Sequence, residues 1–99
     1  MTINIQYVRM ATSEAMNEYV TKKLEKLSKK YEWVISADVN FEVEHNAKTN
    51  GKICKMELSL PGPRIFATSN ERNYELAVKN TLKDLEVQLK KRKHTFQTH

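Results

Sequence analysis

The longest amphipathic segment of this chain lies at residues 70–99 and reads NERNYELAVKNTLKDLEVQLKKRKHTFQTH. At 3.6 residues per turn, its apolar and small side chains gather on one face of a helix. That face comprises Ala77, Val78, Thr81, Leu82, Leu85 and Leu89. The opposite face carries cations within an arc of about 80°, namely Arg72, Lys79, Lys83, Lys90 and Lys93. The segment therefore predicts a helix with one face in a core and the other suited to a polyanion.

A second amphipathic helix is predicted from about Ser13 to Tyr31, because apolar side chains recur there within an arc of about 80°. The charges of this segment are sorted by sign. Its acids share an arc of about 40° and are Glu14, Glu18, Glu25 and Glu32. Its lysines lie on the other flank and are Lys22, Lys23, Lys26, Lys29 and Lys30. Acids near the start and lysines near the end suit the helix dipole, but the dipole does not explain why all the lysines share a flank.

Four segments alternate apolar and polar residues, the pattern of half-buried strands. They lie at about residues 3–7, 36–44, 54–60 and 64–68. The connections between the last three contain Asn50-Gly51 and Pro61-Gly62, which are typical turn sequences. A polar loop is predicted at residues 46–51.

Side chains that cap helices precede both predicted helices. Thr12 or Ser13 can cap the first helix, and Ser69 or Asn70 the second. The predicted order is β-α-β-β-β-α, an α+β fold. Because every strand has one polar face, both helices should cover the opposite face of a four-stranded mixed sheet. The first two strands should be parallel and the last three an antiparallel meander.

Composition indicates one domain over residues 1–99, with a basic tail, about residues 93–99, that we expect to fray. No apolar run reaches the length of a membrane span, and residues 1–6 lack the apolar core of a signal peptide. The lone cysteine, Cys54, excludes an internal disulfide and suits a reducing compartment. These features predict a soluble, cytoplasmic protein without a membrane partner.

Catalysis finds little support in the sequence. Cys54 alternates with polar residues in a strand, so its side chain should point into the core rather than act as a nucleophile. The histidines and the cysteine have no metal-ligand spacing, and two isolated glycines cannot form a phosphate-cradling loop. The acids of the strands are interpreted as a solvated face. We predict neither an enzyme nor a cofactor, a metal or a small-molecule substrate.

The distribution of charge favours a nucleic-acid partner. The chain carries a net charge of +5, and the excess is in the helices: residues 22–30 hold five lysines against one glutamate, whereas residues 34–60 are slightly acidic. Lysine and arginine bind phosphates without reading sequence. The predicted RNA-binding residues are Lys22, Lys23, Lys26, Lys29, Lys30, Arg72, Lys79, Lys83, Lys90, Lys91, Arg92 and Lys93. The β-β-β-α ending preceded by a helix is also similar to the double-stranded RNA-binding domain.

Several short motifs in both helices resemble the ribosome hibernation-promoting factor family, which includes ribosome-associated inhibitor A. The first helix contains Glu18-Tyr19-Val20 followed by Lys22-Lys23-Leu24-Glu25-Lys26-Leu27. The second contains Ala77-Val78, Leu82, Leu85-Glu86 and Gln88-Leu89 before its basic end. The resemblance covers essentially the whole chain in the same order of elements.

This resemblance implies binding to the small ribosomal subunit and its ribosomal RNA, in the channel that messenger and transfer RNA occupy. The protein would compete with both and hold idle ribosomes inactive during slow growth, a stress response of stationary phase. Lys23, Lys26 and Lys29 match positions that are commonly basic in the family's first helix. The length resembles the short form, without the extra domain through which long forms pair ribosomes.

Two other functions remain open at this point. The chain could be a general binding domain for structured RNA without ribosomal specificity. Alternatively, it could be a protein-interaction module that binds a regulator through the sheet, which would make binding indifferent to the lysines and to salt.

Overall fold

The computed structural model of the protein describes residues 1–45 and 48–97, and it confirms the predicted order of elements. The elements are β1 (Thr2–Tyr7), α1 (Glu14–Lys30), β2 (Ser36–Val43), β3 (Lys52–Ser59), β4 (Ile65–Glu71) and α2 (Tyr74–Gln97). The strands form one sheet in the order β1-β2-β3-β4. β1 is parallel to β2, and β2, β3 and β4 pair antiparallel, as predicted.

One face of the sheet and one face of each helix form the core. The strands in the middle of the sheet supply most of its buried residues, which in β2 and β3 are Ala37, Val39, Phe41, Cys54, Met56 and Leu58. The predicted apolar face of α2 packs on them, and its residues Ala77, Val78, Leu85 and Leu89 are fully buried. Thr81 is the polar member of this face, and its hydroxyl donates to the carbonyl oxygen of Ala77 at 2.7 Å. Both helices therefore cover the same face of the sheet.

The start of α1 follows the sequence pattern. Ser13 precedes the first helical residue, and its Oγ accepts a hydrogen bond from the Met16 N–H at 3.2 Å. Of the two predicted caps, Ser13 is the one used. It satisfies one of the N–H groups that the first turn of a helix leaves unpaired.

The start of α2 differs from the prediction. Ser69 and Asn70 lie in β4, which runs on to Glu71, so neither caps the helix. The cap is Asn73, whose Oδ1 accepts from the Leu76 N–H at 2.8 Å. The physical reason is that β3 offers eight residues for pairing, and β4 continues along them instead of ending at residue 68.

The two predicted turns use their glycines. Gly51 has φ of 131° and Gly62 has φ of 93°, values that favour glycine because it lacks a Cβ. The Gly51 N–H also donates to the side chain of Asn70 at 2.7 Å, which joins the β2–β3 connection to β4. Residues 46 and 47 of the predicted loop lie outside the described residues.

The last turns of α2 include part of the tail that we predict to fray. The helix continues to Gln97, so residues 93–97 of the tail that we predict to fray are helical in this structure, while residues 98 and 99 lie outside the described residues. An aromatic contact joins this end of the helix to the residues that follow α1: the ring of Phe96 meets that of Trp33 edge-on at 5.0 Å between centroids, and Trp33 meets Tyr31 at 5.9 Å. Neither described helix combines the length and apolarity needed to cross a bilayer.

Candidate nucleic-acid interface

An open groove with a volume of about 560 Å³ lies between α1 and α2. Five predicted RNA-binding lysines line it: Lys23, Lys26 and Lys30 from α1, and Lys79 and Lys83 from α2. Leu27, Leu82, Asn80 and Glu86 complete the lining. Two cationic rows that are about fifty residues apart in sequence thus become the walls of one site.

Helical periodicity explains how each row forms. Lys23, Lys26 and Lys30 are spaced at i, i+3 and i+7, so they project from one face of α1. Lys79 and Lys83 are spaced at i and i+4 on α2. All five side chains are exposed, and their neighbours Leu27 and Leu82 are drawn toward the core. A polyanion in the groove would therefore meet ammonium groups from both sides.

Glu86 is the acid in this groove, and it ties the two helices together. Its carboxylate accepts hydrogen bonds from the ammonium of Lys30 and from the hydroxyl of Tyr31, the latter at 3.2 Å. The hydrogen bond from Lys30 holds the pKa of Glu86 below its ordinary value, even though partial burial of the carboxyl opposes this shift. The sequence alone does not reveal this role of Glu86, because its partners lie on another element. Its partnership with Lys30 leaves four of the five groove lysines without an ion-pair partner among the described residues.

Five further predicted lysines are exposed outside the groove lining. Lys22 and Lys29 lie on α1, and Lys90, Lys91 and Lys93 lie on the last turns of α2. They extend the basic surface along both helices.

Arg72 lies elsewhere than predicted. It is exposed in the connection between β4 and α2, before the first helical residue, Tyr74. The helical periodicity that grouped it with Lys79 and Lys83 does not extend to this position. Arg72 is therefore not part of the cationic face of α2.

Arg92 has a structural partner that the sequence did not reveal. Its guanidinium donates to the carbonyl oxygens of Pro61 and Pro63, at 2.8 and 2.9 Å. It lies so close to Gly62 that a Cβ on that residue would be 2.9 Å from Arg92 Nη1. Arg92 thus fastens the end of α2 to the β3–β4 turn, whereas its neighbours Lys91 and Lys93 are exposed.

The outer face of the sheet does not continue the basic surface. Two of its carboxylates form local ion pairs, Glu42 with Lys55 at 3.0 Å and Glu57 with Arg64 at 2.6 Å, and Asp38 accepts a hydrogen bond from Asn4. Positive charge without a matching acid is accordingly concentrated on the helical layer.

Comparison with known proteins identifies the family. The family model described as Sigma 54 modulation protein / S30EA ribosomal protein matches residues 3–97. The chain belongs to this S30EA family. Membership makes ribosome association the coarse function of the protein and favours a non-catalytic role.

Two solved structures share the fold of this S30EA family member. One is a ribosomal subunit interface protein from Coxiella burnetii, with 24% sequence identity, a TM-score of 0.85, and coverage of 95% of this chain and 99% of that one. The other is the N-terminal domain of Protein Y from Thermus thermophilus, with 22% identity, a TM-score of 0.77, and coverage of 92% and 98%. No curated protein sequence matches the chain significantly.

The remaining chemistry-bearing groups of the S30EA chain are structural. Cys54 is fully buried, and burial raises its pKa to about 12, so the thiol stays protonated near neutral pH. Within residues 1–45 and 48–97, no cluster of three His, Cys, Asp or Glu side chains could hold a metal ion.

Proposed function

We propose that this protein is a ribosome hibernation factor. It binds ribosomal RNA of the small subunit through the groove between α1 and α2, and it inhibits translation by occupying the channel of messenger and transfer RNA. The observation that carries the proposal is the convergence of five lysines from two helices on one groove, in a member of the S30EA family. The site would act in the cytoplasm, where ribosomes translate.

The chemistry of the groove suits phosphate contacts rather than base reading. Lysine is a flexible point charge that neutralises a phosphate without specifying a base. The groove offers such charges on two facing walls, and Lys90, Lys91 and Lys93 extend them along α2. Recognition would therefore depend on the shape of the folded RNA and on the spacing of its phosphates.

Co-sedimentation with purified ribosomes in sucrose gradients, across a salt series, tests the proposal. We expect salt-sensitive binding to the small subunit, and we expect transfer RNA to displace the protein. Absence from the small-subunit fraction in low salt would contradict the proposal.

A matched pair of variants tests whether ribosome binding depends on the groove lysines or only on the net charge of the protein. Lys79→Glu with Lys83→Glu should abolish ribosome binding, because it reverses one wall of the groove. Lys48→Glu with Lys55→Glu gives the same net charge but changes residues of the β2–β3 connection and the outer sheet face. This control should retain binding.

The alternative is a general domain for structured RNA, which the same lysines would also support. It predicts similar affinity for any duplex of adequate length. Excess duplex RNA should then remove the protein from ribosomes as efficiently as ribosomal RNA does, whereas a hibernation factor should resist this competitor.

A further inference from the structure

The two edges of the sheet differ in how they are protected. At the β4 edge, α2 packs alongside, and the Gln88 side chain donates to the carbonyl oxygen of Phe66 at 2.8 Å. At the other edge, β1 forms strand pairs with β2 alone in the part of the chain that the structure describes. The Thr2 N–H donates to Ile35 and the Val8 N–H donates to Phe41.

The backbone of β1 therefore presents a free edge. In a parallel pair the residues alternate in facing the partner strand. Since Thr2 and Val8 face β2, the N–H and C=O groups of Ile3, Ile5 and Tyr7 face outward. This edge is ready to pair with another strand.

The residues of β1 include none of the features that usually prevent an edge strand from pairing with another chain. Proteins usually protect an edge strand with a charge, a proline or a bulge. The sequence TINIQY at Thr2–Tyr7 contains neither charge nor proline, and its six residues pair with β2 in unbroken register. Nothing in the strand itself opposes the addition of a further strand.

A groove with a volume of about 650 Å³ accompanies this edge, between β1 and α1. One wall is formed by Ile3, Ile5 and Tyr7, all of them only half-buried. The helix wall includes Asn17 and Thr21. An added strand would place alternate side chains in this groove and complete the burial of the isoleucines.

The flank of α1 beside this groove is acidic. Glu14, Glu18 and Glu25 are exposed, and at 100° per residue they lie within about 60° of Thr21 on the helix. Burial raises the pKa of the Tyr7 hydroxyl, and the hydrogen bond to Ser13 opposes this shift. The Glu14 carboxylate raises the pKa of Tyr7 further, so Glu14 lies close to Tyr7 at the end of the groove. The acidic row lies on the side of α1 away from Lys23 and Lys30, between the groove and two exposed lysines, Lys22 and Lys29, that follow Glu18 and Glu25 by one helical turn.

We propose that β1 accepts a fifth strand from a partner protein, an extended basic segment with apolar residues at alternate positions. Main-chain hydrogen bonds to Ile3 and Ile5 would provide affinity, and lysine or arginine side chains of the segment would meet Glu14, Glu18 and Glu25. A second copy of this chain fits less well, because two-fold pairing through β1 would bring two identical acidic rows together.

Amide hydrogen exchange with a defined peptide tests this proposal. The probe is a six-residue peptide of alternating lysine and valine with blocked termini, added to isotope-labelled protein in low salt. We expect exchange at the Ile3 and Ile5 amides to slow by roughly tenfold near saturation. A fully N-methylated version of the peptide keeps its side chains, but its methyl groups replace the N–H donors and block close approach to the β1 edge, so it should give no protection.

Two charge variants show whether the acidic row selects the segment. Glu18→Lys with Glu25→Lys should weaken peptide binding by roughly tenfold in low salt. Lys79→Glu with Lys83→Glu should not weaken peptide binding, because it adds no positive charge near β1, so this interaction can succeed or fail independently of RNA binding.

Two results would overturn the proposal. One is the absence of protection at Ile3 and Ile5, whether or not the peptide binds. The other is protection of these amides that rises with protein concentration in the absence of peptide, which would assign the edge to a second copy of this chain.

Discussion

Lys91 and Arg92 are neighbours on α2, but their side chains have different surroundings. Lys91 is exposed on the helical layer, whereas the guanidinium of Arg92 donates to Pro61 and Pro63 of the β3–β4 turn. A lysine could not make both contacts in the same geometry, because only guanidinium offers a planar pair of donors. Lys91 is therefore accessible at the surface, whereas Arg92, which has the same charge, stabilises the fold.

Alanine substitution should separate the two roles. Arg92→Ala should lower the free energy of unfolding by about 1 kcal/mol, since it removes two hydrogen bonds from a charged donor at a partly exposed site. Lys91→Ala should leave stability unchanged and weaken ribosome binding slightly. Urea denaturation and co-sedimentation measure these effects, and equal stability of the two variants would contradict the assignment.

The thiol of Cys54 should be inert in the native protein. Burial raises its pKa to about 12, so almost no thiolate exists at pH 8. We expect iodoacetamide to leave the native protein unmodified and to alkylate Cys54 once denaturant unfolds the chain. Mass spectrometry gives the readout, and rapid alkylation of folded protein would show that the thiol is accessible.

At the scale of the elements, α2 carries two functions on two faces. Its buried face completes the core through Val78, Leu85 and Leu89, and its exposed face supplies Lys79 and Lys83 to the groove. Because the faces are separate, stability and binding should respond to different substitutions.

Substitution on each face of α2 tests this separation. Leu85 is fully buried, so Leu85→Ala should cost about 2–5 kcal/mol of stability while the remaining folded protein still binds ribosomes. Lys79→Glu with Lys83→Glu should abolish binding with little change in thermal stability, because both side chains are exposed. Thermal denaturation together with co-sedimentation distinguishes them, and equal loss of folding in both variants would be incompatible with this division.

At the scale of the whole molecule, the folded chain separates its charges between two layers. The helical layer bears the unmatched lysines, and the outer sheet face pairs Glu42 with Lys55 and Glu57 with Arg64. Such a distribution orients the protein toward a polyanion. If the protein binds RNA as we propose, affinity should fall by roughly 0.7–0.9 log units per tenfold increase in salt for each phosphate neutralised.

Glu86→Gln should strengthen RNA binding. The substitution removes an acid from the groove and releases Lys30 from its ion pair. If Lys30 then contacts a phosphate, the slope of log affinity against log salt should steepen by roughly 0.7–0.9. Filter binding across a salt series measures the slope, and weaker binding by the variant would mean that the carboxylate positions Lys30 for RNA.

The same variant gives a prediction for pH. The hydrogen bond from Lys30 lowers the pKa of Glu86 in the folded state below its ordinary value of 4.5, so the charged carboxylate stabilises the fold. That contribution is complete above pH 4.5 and disappears as the pH falls through the folded pKa. The wild type should therefore be more stable than Glu86→Gln at pH 7, and urea denaturation should show this difference shrinking in acid.

The sequence by itself determined the order of elements and the buried face of each, because the periods of 2.0 and 3.6 residues record which side of a strand or helix meets the core. It also indicated Ser13 as a cap and the lysines of both helical faces, since these features involve neighbours within a few residues. The shared family pattern added the ribosomal interpretation.

Only the tertiary structure decided the contacts between residues distant in sequence. Because β4 pairs with β3 as far as Glu71, the predicted caps Ser69 and Asn70 belong to the strand, and Asn73 caps α2 instead. The ring of Phe96 contacts Trp33 near the end of α2, and the hydrogen bond from Lys30 to Glu86 joins the two helices. Periodicity cannot predict such partners, because it specifies which face is buried but not which side chain of another element lies opposite.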